Sequence, residues 1–305
     1  MNQKPKITLL SLQWRQWIQD NLARGCTVES MIDAMALQNF DRAAAAGFIR
    51  QLTTVSLVPA NSGDSANSAS ADVHAPSAPA ARDRTYVYET ARLAQSGNLI
   101  KTPDRDVRVS LRMTKPVVAV FDNILSPEEC DELIRLSRIK LKRSTIVDPN
   151  TGKEEVIEER SSYGTFFTLN ENDFIINLER RIGAVMNLPV ENGEGLQILN
   201  YKVGGEYKPH FDYFPPGDPG SAVHLAKGGQ RVSTLVIYLN DVEEAGETIF
   251  PDLGLSVTPK KGAAVYFEYC NSQDQIDPLT LHGGTPVVAG EKWIATKWMR
   301  QRRYG

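Results

Sequence analysis

The stretch LQILNYKVGGEYKPHFDYF, residues 196–214, reads as two short strands around a glycine turn, the second carrying His210 and Asp212 two positions apart. Side chains alternate along a strand, so His210 and Asp212 share a face, while Phe211 is expected to point the other way and pack. Alone, such a pair arises by chance in many chains. The pattern continues downstream, however, in QRVSTLVIYLN, LSVTPKKG, AAVYFEYC, TPVVAG and EKWIATKWM, residues 230–240, 255–262, 263–270, 285–290 and 291–299. Turn residues punctuate these runs at intervals typical of sandwiches and barrels.

Upstream, the strand-like PVVAVFDNI precedes LSPEECDELIRLSRIKL, a helix with Ser126 as cap, Pro127 in its first turn and Glu129 closing a capping box. Leu133, Ile134, Leu136 and Ile139 are its expected buried stripe. A second helix, ENDFIINLERRIGAVMNL, offers Phe174, Ile175, Leu178, Ile182 and Val185. Between them, residues 144–167 suggest a hairpin turning at 148–152. Helices followed by many strands imply a mainly β, α+β domain, with helices flanking a double-stranded β-helix (jelly roll).

This domain is expected over residues 85–305. Residues 1–55 read as a small helical unit, with Trp14, Trp17, Ile18 and Leu22 at helical spacing and Asp41 capping an alanine-rich helix. Residues 56–84 are an Ala/Ser/Pro stretch, too poor in apolar residues to offset the entropy of ordering, and read as a flexible linker containing His74.

Composition narrows the function classes. The 305 residues are 41% hydrophobic and 23% charged with a net charge of -3, which gives no reason to expect nucleic acid. Arg300, Arg302 and Arg303 read as a solvated terminal cluster. Three scattered cysteines, Cys26, Cys130 and Cys270, form neither a disulfide framework nor a zinc spacing. No apolar run approaches the roughly 18 residues that span a membrane, and the start lacks a secretory cleavage site. A cytoplasmic protein is expected, with its oligomeric state open.

The chemistry needs a third group beside His210 and Asp212. His282, in LTLHGGTPVV, lies on a later strand and is followed by glycines that allow close backbone approach. Two imidazoles and one carboxylate make the facial triad of non-haem iron oxygenases. With Fe(II), that set keeps one net positive charge and three open positions, enough for a chelating 2-oxo acid and dioxygen. Zinc would favour four ligands and supply no redox chemistry. The far carboxylate of 2-oxoglutarate then needs a cation. In EKWIATKWMR, Lys292, Ile294, Thr296 and Trp298 share one face, with Trp293, Ala295, Lys297 and Met299 as the packing face.

These motifs resemble a known family. From about residue 115 to 300 the chain is similar to the prolyl 4-hydroxylases among the Fe(II)/2-oxoglutarate dioxygenases, in their collagen-type, stand-alone form. The resemblance rests on LNYKVGGEYKPHFDYF, QRVSTLVIYLNDVEEAGETIFP, VTPKKGAAVYF and LHGGTPVVAGEKWIATKWM, and on the ten-residue interval from His282 to Lys292. It implies His210, Asp212 and His282 as iron ligands and Lys292 as anchor of the far carboxylate, with Tyr201 bonded to it. It places Thr248, Phe250 and Thr296 along the cosubstrate pocket, and Arg160, Trp298 and Arg231 toward the peptide. It also implies O2 as oxidant, succinate and carbon dioxide as coproducts, and ascorbate as reductant.

The expected substrate is a prolyl residue in a peptide or protein, covered by lids from residues 144–160 and 213–230, the second carrying His224. The chain lacks the peptide-binding repeats of the animal collagen enzymes, which leaves collagen itself doubtful and residues 1–55 as another means of recruitment. Two alternatives stay open: a free amino acid or small metabolite as substrate, and a non-catalytic binding module.

Overall fold

The computed structural model describes residues 14, 17–18, 21–22, 27–37, 40–55, 86–93, 97–148, 151–157 and 159–304. The expected linker, residues 56–84, and Gly25 and Cys26 lie outside the described residues. The chain divides into two compact units, Met1–Ala80 and Ala81–Gly305. In the first, α1 (Val28–Leu37) and α2 (Arg42–Val55) close over Ile18, Met31, Met35, Phe40 and Ile49. Asp41 caps α2 by accepting from the N–H groups of Ala43 and Ala44 at 2.9 and 3.0 Å.

The second unit begins with β1 (Leu99–Lys101), β2 (Asp106–Thr114), β3 (Val117–Phe121), β4 (Lys142–Arg143), β5 (Ile146–Val147), β6 (Glu154–Glu155) and β7 (Tyr163–Phe167). Then come β8 (Leu196–Tyr201), β9 (Tyr207–His210), β10 (Arg231–Tyr238), β11 (Glu244–Ala245), β12 (Thr248–Phe250) and β13 (Leu255–Val257). The last strands are β14 (Ala264–Glu268), β15 (His282–Gly284), β16 (Val287–Ala289) and β17 (Lys292–Arg300). Helices α3 (Pro127–Ser137) and α4 (Asp173–Met186) interrupt the first group, and α5 (Ser221–Ala226) separates β9 from β10.

Nine strands form one antiparallel sheet in the order β1-β2-β3-β14-β10-β17-β8-β7-β4, and four form a second, β13-β12-β15-β9. From β8 onward the chain passes back and forth between the two, which is the jelly-roll path. The sheets face each other: Phe250 of β12 stands edge-on to Phe267 of β14 with ring centroids 5.2 Å apart. Central strands β10, β14 and β17 are rich in β-branched and aromatic residues and are buried on both faces. Nothing in the sequence reading points to β1, β2, β11 or β12. In DVRVSLRMT the alternation is plain, yet only Val107 is fully buried, because β2 lies near the sheet edge.

The capping box of α3 is present, with Ser126 Oγ accepting from Glu129 N and Glu129 Oε2 from Ser126 N. Its stripe needs one correction. Leu133 is buried, but Ile139 is 91% exposed. The α-helix stops at Ser137 and tightens into a 3-10 turn over Arg138–Lys140. Three residues per turn carry Ile139 off the α-helical stripe and into solvent. In α4, Ile175, Leu178, Ile182 and Val185 are buried as expected.

The face of β17 read as plain packing surface holds a charge. Lys297 is fully buried, pairs with Glu179 of α4 at 2.5 Å and donates to the Glu194 carbonyl. Glu179→Leu alone would strand the ammonium in the core and is expected to cost roughly 3–5 kcal/mol in urea unfolding. The double variant Glu179→Leu/Lys297→Met is expected to recover most of that loss.

Candidate active site

Strand register assembles the site. β9 and β15 pair antiparallel with His282 opposite His210, and the two imidazole centroids lie 4.4 Å apart. β9 ends at His210, so Asp212 lies just beyond the strand instead of at its next inward position. Its carboxylate still turns the same way, with Oδ1 3.7 Å from His210 Nε2 and Oδ2 3.5 Å from His282 Nε2. Phe211 departs from expectation at this same point. The chain is leaving the sheet, and Phe211 is 36% exposed, stacked on Tyr213 at 4.7 Å.

One ligand atom from each of His210, Asp212 and His282 lies within 4.8 Å of the others. Their protonation suits a cation. His210 Nδ1 is 2.8 Å from the Lys208 carbonyl and His282 Nδ1 is 3.0 Å from that of Thr280. A carbonyl only accepts, so each Nδ1 carries a hydrogen and Nε2 is the ring atom left for coordination. Burial, reinforced by His282, pushes His210 down to about 3. Burial alone would raise Asp212, but His282 and His210 outweigh it and bring the carboxyl to about 2. Two imidazoles and one carboxylate match the facial triad that holds non-haem Fe(II) and leave its other coordination positions open.

Each candidate ligand is backed by its own neighbours. The Tyr207 ring stacks on His210 at 3.5 Å, and the Arg160 guanidinium lies over Tyr207 at 4.9 Å. Phe267 and Phe250 pack on His282 at 4.5 and 5.9 Å. Thr234 donates its hydroxyl to Asp212 Oδ2 at 2.7 Å.

The inner wall follows from register and the period of two. Tyr201 and Gln197 of β8 stand opposite Lys292 and Thr296 of β17. Tyr238, Val236 and Thr234 of β10 stand opposite Ile294, Thr296 and Trp298. Lys292 is buried, with Nζ 5.7 and 6.0 Å from the Tyr201 and Tyr238 rings, and no carboxylate among the described residues is paired with it. Burial lowers its ammonium to about 8, with the Glu247 charge pulling the other way. A buried cation without a counter-ion is costly to keep charged. Thr248, buried nearby on β12, accepts from the Tyr238 hydroxyl at 2.9 Å. A Cβ on Gly284 would lie 3.6 Å from Lys292 Nζ, which measures how closely the strand of His282 approaches the lysine.

The residues expected on the peptide side are less uniform. Arg160 is buried and donates to the Thr145 carbonyl and to Gln197 Oε1, while its Nε has no partner. Trp298 Nε1 is likewise buried and unpartnered. Arg231 makes a bidentate pair with Glu194 at 2.6 and 2.8 Å and donates to the Asp212 carbonyl at 3.2 Å. These bonds brace the chain just after β9. His224 sits in α5, away from the ligand cluster. Its Nε2 is 2.9 Å from the Gly152 carbonyl, and its ring stacks on Phe214 at 5.0 Å, so it joins the two loops read as lids.

Several of these residues escaped the sequence reading. Thr234, Val236 and Tyr238 were findable, because alternation in QRVSTLVIYLN puts all three on one face. Tyr207 carries the weaker signal of being an aromatic ahead of the histidine. Glu194 has no local signal, since its partners Arg231 and Arg300 come from distant sequence.

Comparison with known proteins bears on the same residues. A family model for the 2OG-Fe(II) oxygenase superfamily matches residues 196–300, a span that holds every site residue above except Arg160 and Glu194. Probable prolyl 4-hydroxylase 10 of Arabidopsis thaliana is 40% identical over 209 residues, 62% of this chain and 71% of that protein. Probable prolyl 4-hydroxylase 8 of the same plant is 36% identical over 241 residues, 73% and 81% of the two chains. Among solved structures, the viral collagen prolyl hydroxylase from Paramecium Bursaria Chlorella virus-1 in its 2OG complex is 30% identical, with a TM-score of 0.48 over 60% of this chain and 95% of that one. The likeness to the plant proteins runs through more than two thirds of their length, and on it the chain belongs to the prolyl 4-hydroxylase family of Fe(II)/2-oxoglutarate oxygenases.

Proposed function

We propose that this chain hydroxylates prolyl residues, at the 4-position, in a peptide or protein. The observation that carries the reading is the pairing of His210, Asp212 and His282 with a buried, unpaired Lys292 on the wall beside them. His210 and His282 Nε2 and an Asp212 oxygen hold Fe(II). Lys292, with Tyr201, Thr248 and Thr296, holds the far carboxylate of 2-oxoglutarate. Bound iron and cosubstrate supply the oxidising chemistry, in which one atom of O2 enters the C–H bond and the other leaves in succinate, with loss of carbon dioxide. The aromatic packing from Phe250 and Phe267 excludes water from this centre.

Arg160 and Trp298 border the peptide side, with Arg160 held in place by the Thr145 carbonyl and Gln197. Ascorbate serves as reductant in turnovers that miss the peptide. The scattered cysteines support a cytoplasmic location, and no helix among the described residues is long and apolar enough to cross a membrane. Residues 1–55 act as a recruiting unit, joined through the Ala/Ser/Pro stretch 56–84 to the catalytic domain 85–305.

Incubation with Fe(II), 2-oxoglutarate and proline-rich peptides is expected to give peptide-dependent succinate and a peptide one oxygen atom heavier. Turnover with free proline alone would move the substrate to small metabolites. No turnover from iron-loaded protein would leave a binding module.

Titration with Mn(II) is expected to show His210→Ala losing affinity at least roughly a hundredfold, and Tyr207→Leu, which removes only the supporting ring, roughly tenfold. Lys292→Ala is expected to raise the KM for 2-oxoglutarate roughly ten- to a hundredfold, the worth of a charge-assisted hydrogen bond. The anion needs the ammonium form, and burial lowers that form's pKa to about 8 in the free protein. Wild-type KM should therefore be flat below that pH and climb above it, whereas the alanine variant should lose this dependence.

A further inference from the structure

We propose that Thr234 is a positioning residue that keeps Asp212 a one-oxygen metal ligand and so preserves the coordination position needed for O2. The inference rests on reading His210, Asp212 and His282 as the iron ligands. Carboxylates bind cations through one oxygen or both. Both Asp212 oxygens are near the histidines, Oδ1 3.7 Å from His210 Nε2 and Oδ2 3.5 Å from His282 Nε2. Distance alone therefore leaves both modes available.

The difference between the two oxygens lies in their hydrogen bonds. Thr234, on the inner face of β10, places Oγ1 2.7 Å from Oδ2. Tyr269 OH lies 3.0 Å from the same Thr234 oxygen. A threonine hydroxyl has one proton and a carboxylate only accepts, so Thr234 donates to Oδ2 and Tyr269 donates to Thr234. Burial, with the Asp212 charge, pushes the Tyr269 phenol well above its ordinary value and keeps it a donor. This chain of donors engages Oδ2 and leaves Oδ1 as the free ligand atom.

The backbone of Asp212 is held as well. Its carbonyl accepts from Arg231, whose guanidinium is clamped by Glu194 and lies 4.0 Å from the Trp298 ring centroid. With carbonyl and carboxylate both tethered, the side chain has little freedom to turn a second oxygen toward the metal. An octahedral ion with two histidines and one Asp212 oxygen keeps three positions, two for 2-oxoglutarate and one for O2. If both oxygens bound, the cosubstrate would fill the remainder.

The test counts metal-bound water in the full-length protein loaded with Mn(II), using water-proton relaxivity at matched occupancy. Thr234→Val removes the hydroxyl at nearly constant shape and is expected to lower the inner-sphere relaxivity by about one third, from three waters to two. With 2-oxoglutarate added, wild type should retain one water and the valine variant none. Thr234→Ser should behave as wild type in both states. If the valine variant fails to fold, Thr234→Ala removes the same hydroxyl without crowding. Relaxivity unchanged in a folded, metal-loaded Thr234→Val or Thr234→Ala protein would overturn the role given to Thr234. If Asp212→Ala binds Mn(II) as tightly as wild type, the ligand assignment itself is at fault, and the inference goes with it.

Discussion

The antiparallel register that sets His282 opposite His210 is the constraint on which the site depends. A slip of one residue would turn one imidazole to the opposite face of the sheet. The backbone leaves little room for a slip. A Cβ on Gly283 would lie 3.0 Å from Pro209 N and from the Tyr207 carbonyl oxygen, so the two strands approach as closely as glycine permits. Pro209 lacks an N–H, and the pairing shifts between His282 and Gly284 beside it. Glycine on one strand and proline on the other thus help to define the partner of each histidine.

The large sheet carries the same logic to the wall around Lys292. Because β17 lies between β8 and β10, its inner-face residues Ile294 and Thr296 have partners on both strands, while Lys292 faces Tyr201 of β8 and Trp298 faces Thr234 of β10. Its outer face holds Lys297 against Glu179, while Lys292 on the inner face forms no ion pair with a carboxylate among the described residues. Other buried charges are matched in pairs: Glu194 lies between Arg231 and Arg300, and Arg181 between Asp104 and Glu129. Lysines five positions apart on one strand thus have opposite surroundings. One completes a structural pair, and the other is buried with no paired carboxylate among the described residues.

Much of this was legible because strand periodicity needs no long-range information. His210, His282, Lys292, Thr296 and Trp298 could be assigned faces from their own segments, and the α3 capping box could be read from four consecutive residues. Errors arose where a local rule met the end of an element. The Ile139 stripe failed where the helix tightened, and the Phe211 packing failed where β9 stopped. Arg231 shows another limit, because a guanidinium reads alike whether it meets a substrate or a buried glutamate brought from 37 residues away.

By itself the sequence determined the ligand types, their spacing, the alternation that points them inward and the mainly β character of the domain. These depend on residue chemistry and on a backbone repeat of two. Tertiary structure decided which strands are neighbours, and with that the opposition of His210 and His282, the burial of Lys292 away from any paired carboxylate among the described residues, and the relay in which Tyr269 donates to Thr234 and Thr234 to Asp212. Those features depend on pairing between distant segments, where the free energy of a buried charge or hydrogen bond is set by groups that no local window contains.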